Sequence, residues 1–231
     1  MAKKQYGMVI DLHKCVGCSG CDIACKSENN VPAEFSWSNH IIETTGKFPD
    51  TKYRYIPTLC NHCENAPCVA HCPTTAMYKS EDGLTLHDSD LCIGCRACQV
   101  SCPYGVIYFN EQEPFEEYQE DQTPVIPGCT STGAEDCDKH KEPIPHYNPE
   151  REDTYDGIRP KGIVEKCTFC DHRLAKGQDP WCVESCPADA RIFGDLNDAA
   201  SPPRRALAKH APRVLQQDKG TNPNVFYIRD A

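Results

Sequence analysis

CIGCRACQVSCP, residues 92–103, sets four cysteines at steps of three, three and four residues and closes on a proline. No strand or helix face needs sulfur at that density, so the spacing has to serve ligation. The pattern returns three times. Cys15, Cys18, Cys21 and Cys25 repeat the same steps, with Lys26 where the other runs have proline. Cys60, Cys63, Cys68 and Cys72 widen the middle step to five, and Cys167, Cys170, Cys182 and Cys186 widen it to twelve, both ending on Cys-Pro. Together the four groups use sixteen of the eighteen cysteines.

Three chemistries compete for such runs. Disulfide frameworks belong to small secreted domains, and cysteines three apart are poorly placed to bridge each other. Structural zinc takes two ligand pairs from separate knuckles, which leaves a third cysteine at another three-residue step without a purpose. Iron-sulfur chemistry uses them all: three cysteines of one loop wrap a cubane and the fourth crosses over to ligate a second. Residues 92–103 fit that run position by position.

Composition narrows the function. The chain has 231 residues, 19 Pro, 3 Met, 2 Trp and a mean hydropathy of −0.60, so something besides an apolar core must help hold it together. Formal charge is −10 without a long basic block, which argues against nucleic acid as a ligand. Sixteen thiolates and four cluster cores of +2 would deepen the charge to about −18. No apolar run is long enough for a membrane span, and the opening MAKKQYGMVIDLHKC carries no export signal, so any membrane link or export is expected to come through a partner. Neither a dinucleotide or phosphate loop, nor a nucleophile triad, nor a framed carboxylate pair is found. With four cysteines apiece the clusters offer no open iron. The expected role is electron transfer without catalysis.

The crossing cysteine also predicts which groups pair. Between the second and third lies PTTAMYKSEDGLTLHDSDL, which reads as two brief strands around Glu81, Asp82 and Gly83. Those groups form one compact unit, and the first and fourth pair across it. The predicted fold is α+β: two nested ferredoxin-like modules holding four 4Fe-4S clusters, with long loop insertions. Residues 1–50 and 161–200 form the outer module, 51–110 the inserted one, 111–160 a Pro-rich acidic insertion and 201–231 a C-terminal tail whose NPNVFYIRDA resembles a last strand.

The expected ligand sets are Cys15, Cys18, Cys21 with Cys186; Cys167, Cys170, Cys182 with Cys25; Cys60, Cys63, Cys68 with Cys102; and Cys92, Cys95, Cys98 with Cys72. Pairing the first group with the second and the third with the fourth is the alternative, and it needs long excursions inside both units. Gly17, Gly20 and Gly94 let the backbone wrap closely, and Pro73, Pro103 and Pro187 turn it away after the crossing ligand. Lys14, Lys26, Arg96, Lys166 and Arg173 flank ligands and are candidates to raise the local potential. In the insertion, Cys129, Cys137, His140 and His146 lack knuckle spacing; a docking arm with a disulfide or free thiols is expected rather than a fifth metal site.

The order of the groups, with GMVIDLHKCVGCSGCDIACKSENNVP, CNHCENAPCVAHCPTTAM, CIGCRACQVSCPYGVIYFN and EKCTFCDHRLAKGQDPWCVESCPADARIFGDL, resembles the electron-transfer subunits of the dimethyl sulfoxide reductase family over most of the chain. The resemblance implies four 4Fe-4S clusters, the same nested pairing, and a large catalytic partner carrying a molybdenum or tungsten bis-pterin. It further implies a cytochrome, a quinol-oxidising protein or a membrane anchor as electron partner, and a periplasmic location shared with the catalytic subunit. TLCNHCENAPCV, EKCTFCDHRLAKG and VFYIRD are most similar to the small subunits of respiratory arsenate reductases. Thiosulfate, polysulfide and tetrathionate reductases, and catechol dehydroxylases and hydroxytransferases, share nearly all these features. A stand-alone polyferredoxin is the alternative of a different kind.

Overall fold

The structure, a computed structural model, describes residues 3–112, 131–141 and 147–229, without the side chains of 133, 134, 136 and 137. The expectations for Cys129, Cys137 and His146 lie outside the described residues.

Met8, Val9 and Ile10 are wholly buried, as befits a strand covered on both faces. They belong to β1 (Tyr6–Asp11), the middle of a three-stranded sheet that also contains β8 (Arg191–Asp195) and β9 (Val225–Ile228). β8 runs antiparallel to β1, with Ile10 opposite Arg191, and β9 runs parallel to it, with Ile10 opposite Tyr227. The strand expected at the C-terminal end is therefore present, and it completes the central sheet. Before it, the helix Pro202–Lys209 starts on two prolines, with Ser201 Oγ accepting the Arg204 N–H, and packs on β8 and β1. Val225, Tyr227 and Ile228 thus join the core.

The second strand pair has the same plan. β4 (Met77–Lys79) and β5 (Thr85–His87) are antiparallel, Met77 opposite His87, joined by a turn in which Gly83 takes φ +78°. The spacing matches the central sheet: Met77 follows Cys72 by five positions and His87 precedes Cys92 by five, while Arg191 follows Cys186 by five and Ile10 precedes Cys15 by five. One strand pair joins the second and third cysteine groups, and the other joins the first and fourth.

Two smaller pairs complete the fold. β2 (Asn39–Thr45) and β3 (Lys52–Thr58) form a largely exposed hairpin whose Tyr55 lies over Gly17. β6 (Tyr108–Phe109) and β7 (Val164–Glu165) close the insertion. Its described second half packs inward: Arg151 and Arg159 are fully buried, Arg159 paired with Glu165 at 2.8 Å and Arg151 with Asp171 at 2.8 Å. None of the helices among the described residues is long and apolar enough to cross a membrane.

Gly17 and Gly94 adopt φ of +67° and +65° as their role in close wrapping requires, but Gly20 does not: the left-handed residue there is Ser19, at φ 58°, just before the helix Gly20–Asn29. At Gly94 a Cβ would sit 1.9 Å from the Gly162 carbonyl oxygen, whereas at Gly105, φ +65°, it would meet nothing within 4 Å. Gly94→Ala should therefore lower the denaturation midpoint markedly more than Gly105→Ala, whose expected cost is the conformational one of about 1 kcal/mol. Equal losses would show that the approach to Gly162 carries no weight.

Candidate iron-sulfur sites

The loop after β1 starts on Asp11, whose Oδ1 accepts the His13 N–H at 3.1 Å and whose carboxylate pairs with Arg229. That turn delivers Cys15 and Cys18, and the helix Gly20–Asn29 carries Cys21 on its first turn and Cys25 towards its end. Cys15, Cys18 and Cys21 line one cavity together with Cys186 from the loop before β8. Cys92, Cys95 and Cys98 line another with Cys72, walled by Met77 and His87 of the β4–β5 hairpin.

The other two sets are read from the mutual influence of their thiols. Burial, and after it the neighbouring Cys167, Cys170 and Cys182, push the Cys25 thiol well above its ordinary range. The Asn29 side-chain amide donates to both Cys25 Sγ, at 3.7 Å, and Cys170 Sγ, at 3.5 Å. Burial and then Cys60 lift Cys63 to about 11, and burial and Cys60, with Cys102 and Cys63 adding to them, lift Cys68 to about 12 despite Lys166. In the cavity lined by Cys72, burial and then Cys92 and Cys72 raise Cys98 to about 11. Thiols crowded this way resist ionisation together, and a cationic iron core at their centre removes the conflict.

Backbone donors also point at sulfur: Met77 N–H to Cys72 at 3.5 Å, Phe169 N–H to Cys167 at 3.4 Å and Ala190 N–H to Cys186 at 3.4 Å. The sixteen thiols are free of disulfides. The donor sets fit four-sulfur cluster ligation.

The sites adjoin one another in sequence. Arg191 touches Cys21 and Cys182 at 3.2 and 3.5 Å, bringing the first two sets together. Cys60 is among the groups that raise Cys167, and the His62 ring between Cys60 and Cys63 stacks at 3.8 Å on Phe169, between Cys167 and Cys170. Cys68 and Cys98 share an apolar cluster with Met77, joining the last two. Of the sixteen, only Cys18 and Cys95, in the first and last sites of this row, are exposed.

Of the five flanking cations expected to matter, Lys166 is the most intimate: buried, with its ammonium donating to the carbonyls of Thr85 and, at 3.0 Å, Cys167. Lys26 donates to three carbonyls, those of Pro32, Ala33 and Phe35. Arg96 lies 3.6 Å over the Phe109 ring, Arg173 pairs with Glu28 and Glu184, and exposed Lys14 reaches only the Asp189 carbonyl. Three contributors are absent from that set: Asn29, His40 and Arg191. The contacts of His40 and Arg191 come from tertiary structure, whereas Asn29 reaches Cys25 from one helical turn on and Cys170 across the fold; a lone Arg opening an apolar run, as in ARIFGD, is a trace in the sequence.

A family model for the 4Fe-4S dicluster domain matches residues 51–119 and again 116–196. The chain is 54% identical to the arsenate respiratory reductase iron-sulfur subunit of Shewanella sp. strain ANA-3, across 97% of this chain and 96% of that one. The chain belongs to the 4Fe-4S dicluster family of reductase iron-sulfur subunits. A selenate reductase subunit of Mesobacillus selenatarsenatis is 42% identical over 97% of this chain and 72% of its own, and a polysulfide reductase chain of Wolinella succinogenes is 35% identical over 99% and 95%. With two dicluster matches and sixteen cysteines in four runs, the cofactors of this iron-sulfur subunit are four 4Fe-4S clusters.

His40 adds a titratable group to the first site. Its Nδ1 lies 2.7 Å from the Asp22 carboxylate, which, with the adjacent Cys21, raises the imidazole to about 9. A raised histidine stabilises the fold fully below its unfolded value, near 6.5, and loses that contribution as pH climbs through about 9. Denaturation midpoints of the wild type and His40→Gln should differ near pH 6 and converge near pH 10. A gap of equal size at both would remove the charged pair from the account.

Proposed function

We propose that the chain is the electron-relay subunit of an anaerobic reductase, set between a redox donor and a large catalytic subunit with a molybdenum or tungsten bis-pterin. The observation that carries this reading is the row of four adjoining sulfur sites with an exposed cysteine only in the first and the last. The ligand sets we assign are those of the nested pairing: Cys15, Cys18, Cys21, Cys186; Cys25, Cys167, Cys170, Cys182; Cys60, Cys63, Cys68, Cys102; and Cys72, Cys92, Cys95, Cys98. Bound there, 4Fe-4S clusters supply one-electron carriers.

The protein's part is to hold the sites in sequence, bury the thiols of the middle ones except Cys102, which is half-buried, and leave the two ends accessible. Cys25, Cys167, Cys170 and Cys182 are all buried. At the exposed ends the surface is apolar: Val16 and Ile23 beside Cys18 are 67% and 69% exposed, and Ile93 beside Cys95 is 66% exposed. Exposed aliphatic groups around a terminal site suit contact with partner proteins, one at each end.

Arsenate is the terminal acceptor we assign to the complex, because the arsenate respiratory relative matches nearly end to end and at higher identity than the selenate and polysulfide ones. The assignment concerns the partner, since sixteen of the eighteen cysteines of this chain are committed to clusters. A free polyferredoxin is the second reading, and co-purification separates the two.

Anaerobic purification should give about sixteen iron per chain, four for each cubane, with molybdenum or tungsten in a co-eluting large subunit. Full iron without any partner would favour the free carrier. Cys25→Ser should damage the cluster whose other ligands are Cys167, Cys170 and Cys182, read as loss of one paramagnetic signal. Damage instead to the site of Cys60, Cys63 and Cys68 would sink the nested pairing.

A further inference from the structure

The two strand pairs allow the modules to be compared position by position. Met77 and Arg191 are counterparts: each follows the last cysteine of its group by five residues and opens a strand opposite the residue five before the partner group. Their surroundings correspond as well. Met77 packs with Cys68 and Cys98, the third cysteines of the second and third groups. Arg191 donates from Nη2 to Cys21 and from Nη1 to Cys182, the third cysteines of the first and fourth groups. The seat between paired sites therefore holds a thioether in the inner module and a guanidinium in the outer one.

That guanidinium is buried, the residue only 4% exposed. Besides the two cysteines its hydrogen-bond partners are Ser38 Oγ at 2.8 Å and Met8 Sδ at 4.0 Å, with no carboxylate among them. The nearest acidic group, Asp22, is taken up by His40. Arginine keeps its proton in any protein environment, and a buried cation without an anion is strongly unfavourable. The compensating charge must come from ligated thiolates and the clusters they hold.

We propose that Arg191 is a countercharge shared by the two outer-module clusters, raising the reduction potential of both, and that Met77 leaves the inner pair without an equivalent. The proposal rests on the ligand sets assigned above. Each electron added to an outer cluster increases negative charge beside a guanidinium in a poorly screened interior, and hydrogen bonds to cluster sulfur act in the same direction. A purely structural Arg191, tying β8 to Ser38, would leave potentials alone.

The test is Arg191→Met, which places the inner module's own residue in the outer seat, compared with Arg191→Gln and Arg191→Lys in the assembled complex. Iron per chain and potentiometric titration followed by electron paramagnetic resonance are the readouts. Arg191→Met should keep its iron and lower two of the four potentials, each by a factor of ten or more in the reduction equilibrium, about 59 mV for one electron. The other two should stay in place. Cys25→Ser and Cys186→Ser, each removing one outer cluster, identify the signals that move.

Arg191→Gln should act like Arg191→Met, and Arg191→Lys, a point charge unable to bridge both sulfurs, should fall between these and the wild type. Full iron with four wild-type potentials in either neutral variant overturns the proposal, as does movement of the inner pair. If neither neutral variant takes up iron, Arg191→Lys decides: a lowered outer pair supports the shared charge and four unchanged potentials refute it. Iron well below sixteen in the wild type would instead defeat the four-cluster reading on which the proposal stands.

Discussion

In the ligand sets proposed, the fourth cysteine of every run reaches a site built by another loop, and two antiparallel strand pairs make that reach possible. Ile10 opposite Arg191 and Met77 opposite His87 stand five residues from the cysteines they serve, so strand register translates directly into which sulfurs meet. A slip of one residue would turn every side chain of a strand to the other face. Register in β1 is protected because Met8, Val9 and Ile10 are buried on both faces. The apolar core of this protein is modest, and its main task is to hold those registers.

Burial then sets the terms for the interior. Lys79 donates to the carbonyls of His62, Cys63 and Gly83 and to Thr85 Oγ1, while Lys26 and Lys166 are held by carbonyls alone. Arg191 has sulfur and hydroxyl partners. Of these, Lys26 and Lys79 are half-buried and Lys166 and Arg191 buried, and buried cations held only by neutral acceptors are rare because the desolvation is not offset. Arg159 and Arg151 do have carboxylates at 2.8 Å, that of Arg151 coming from Asp171 directly after Cys170. Lys166 and Arg191, by contrast, have no carboxylate among their hydrogen-bond partners, and bound clusters would supply the negative charge beside them.

Much of this is legible in the sequence, and for a physical reason. Cluster ligation fixes residue type and spacing within a few positions, so four runs can be recognised without tertiary information. The β4–β5 hairpin is legible because a turn and two short alternating runs leave little choice, and the last strand because VFYI is strongly β-forming. Its place beside β1, parallel and completing the central sheet, is not, since parallel pairing across more than two hundred residues has no local signature. Residues 147–160 read as polar insertion because Arg151 and Arg159 look like surface residues until their buried partners are seen. The close wrapping expected at Gly20 is made instead by a left-handed Ser19, one position earlier at a helix start.

One chemical difference between the modules lies at a position where their common plan leaves a choice. A seat between two sulfur sites must be filled by a long side chain that tolerates sulfur. Methionine and arginine both qualify in volume, so packing alone does not discriminate between them. Charge does. Methionine at 77 keeps the inner seat apolar, shared with Ile107 and Val164, whereas arginine at 191 puts a permanent cation within 3.5 Å of sulfurs from two sites. Two modules of one architecture can thus differ in redox character without any change in ligand number, ligand type or strand register.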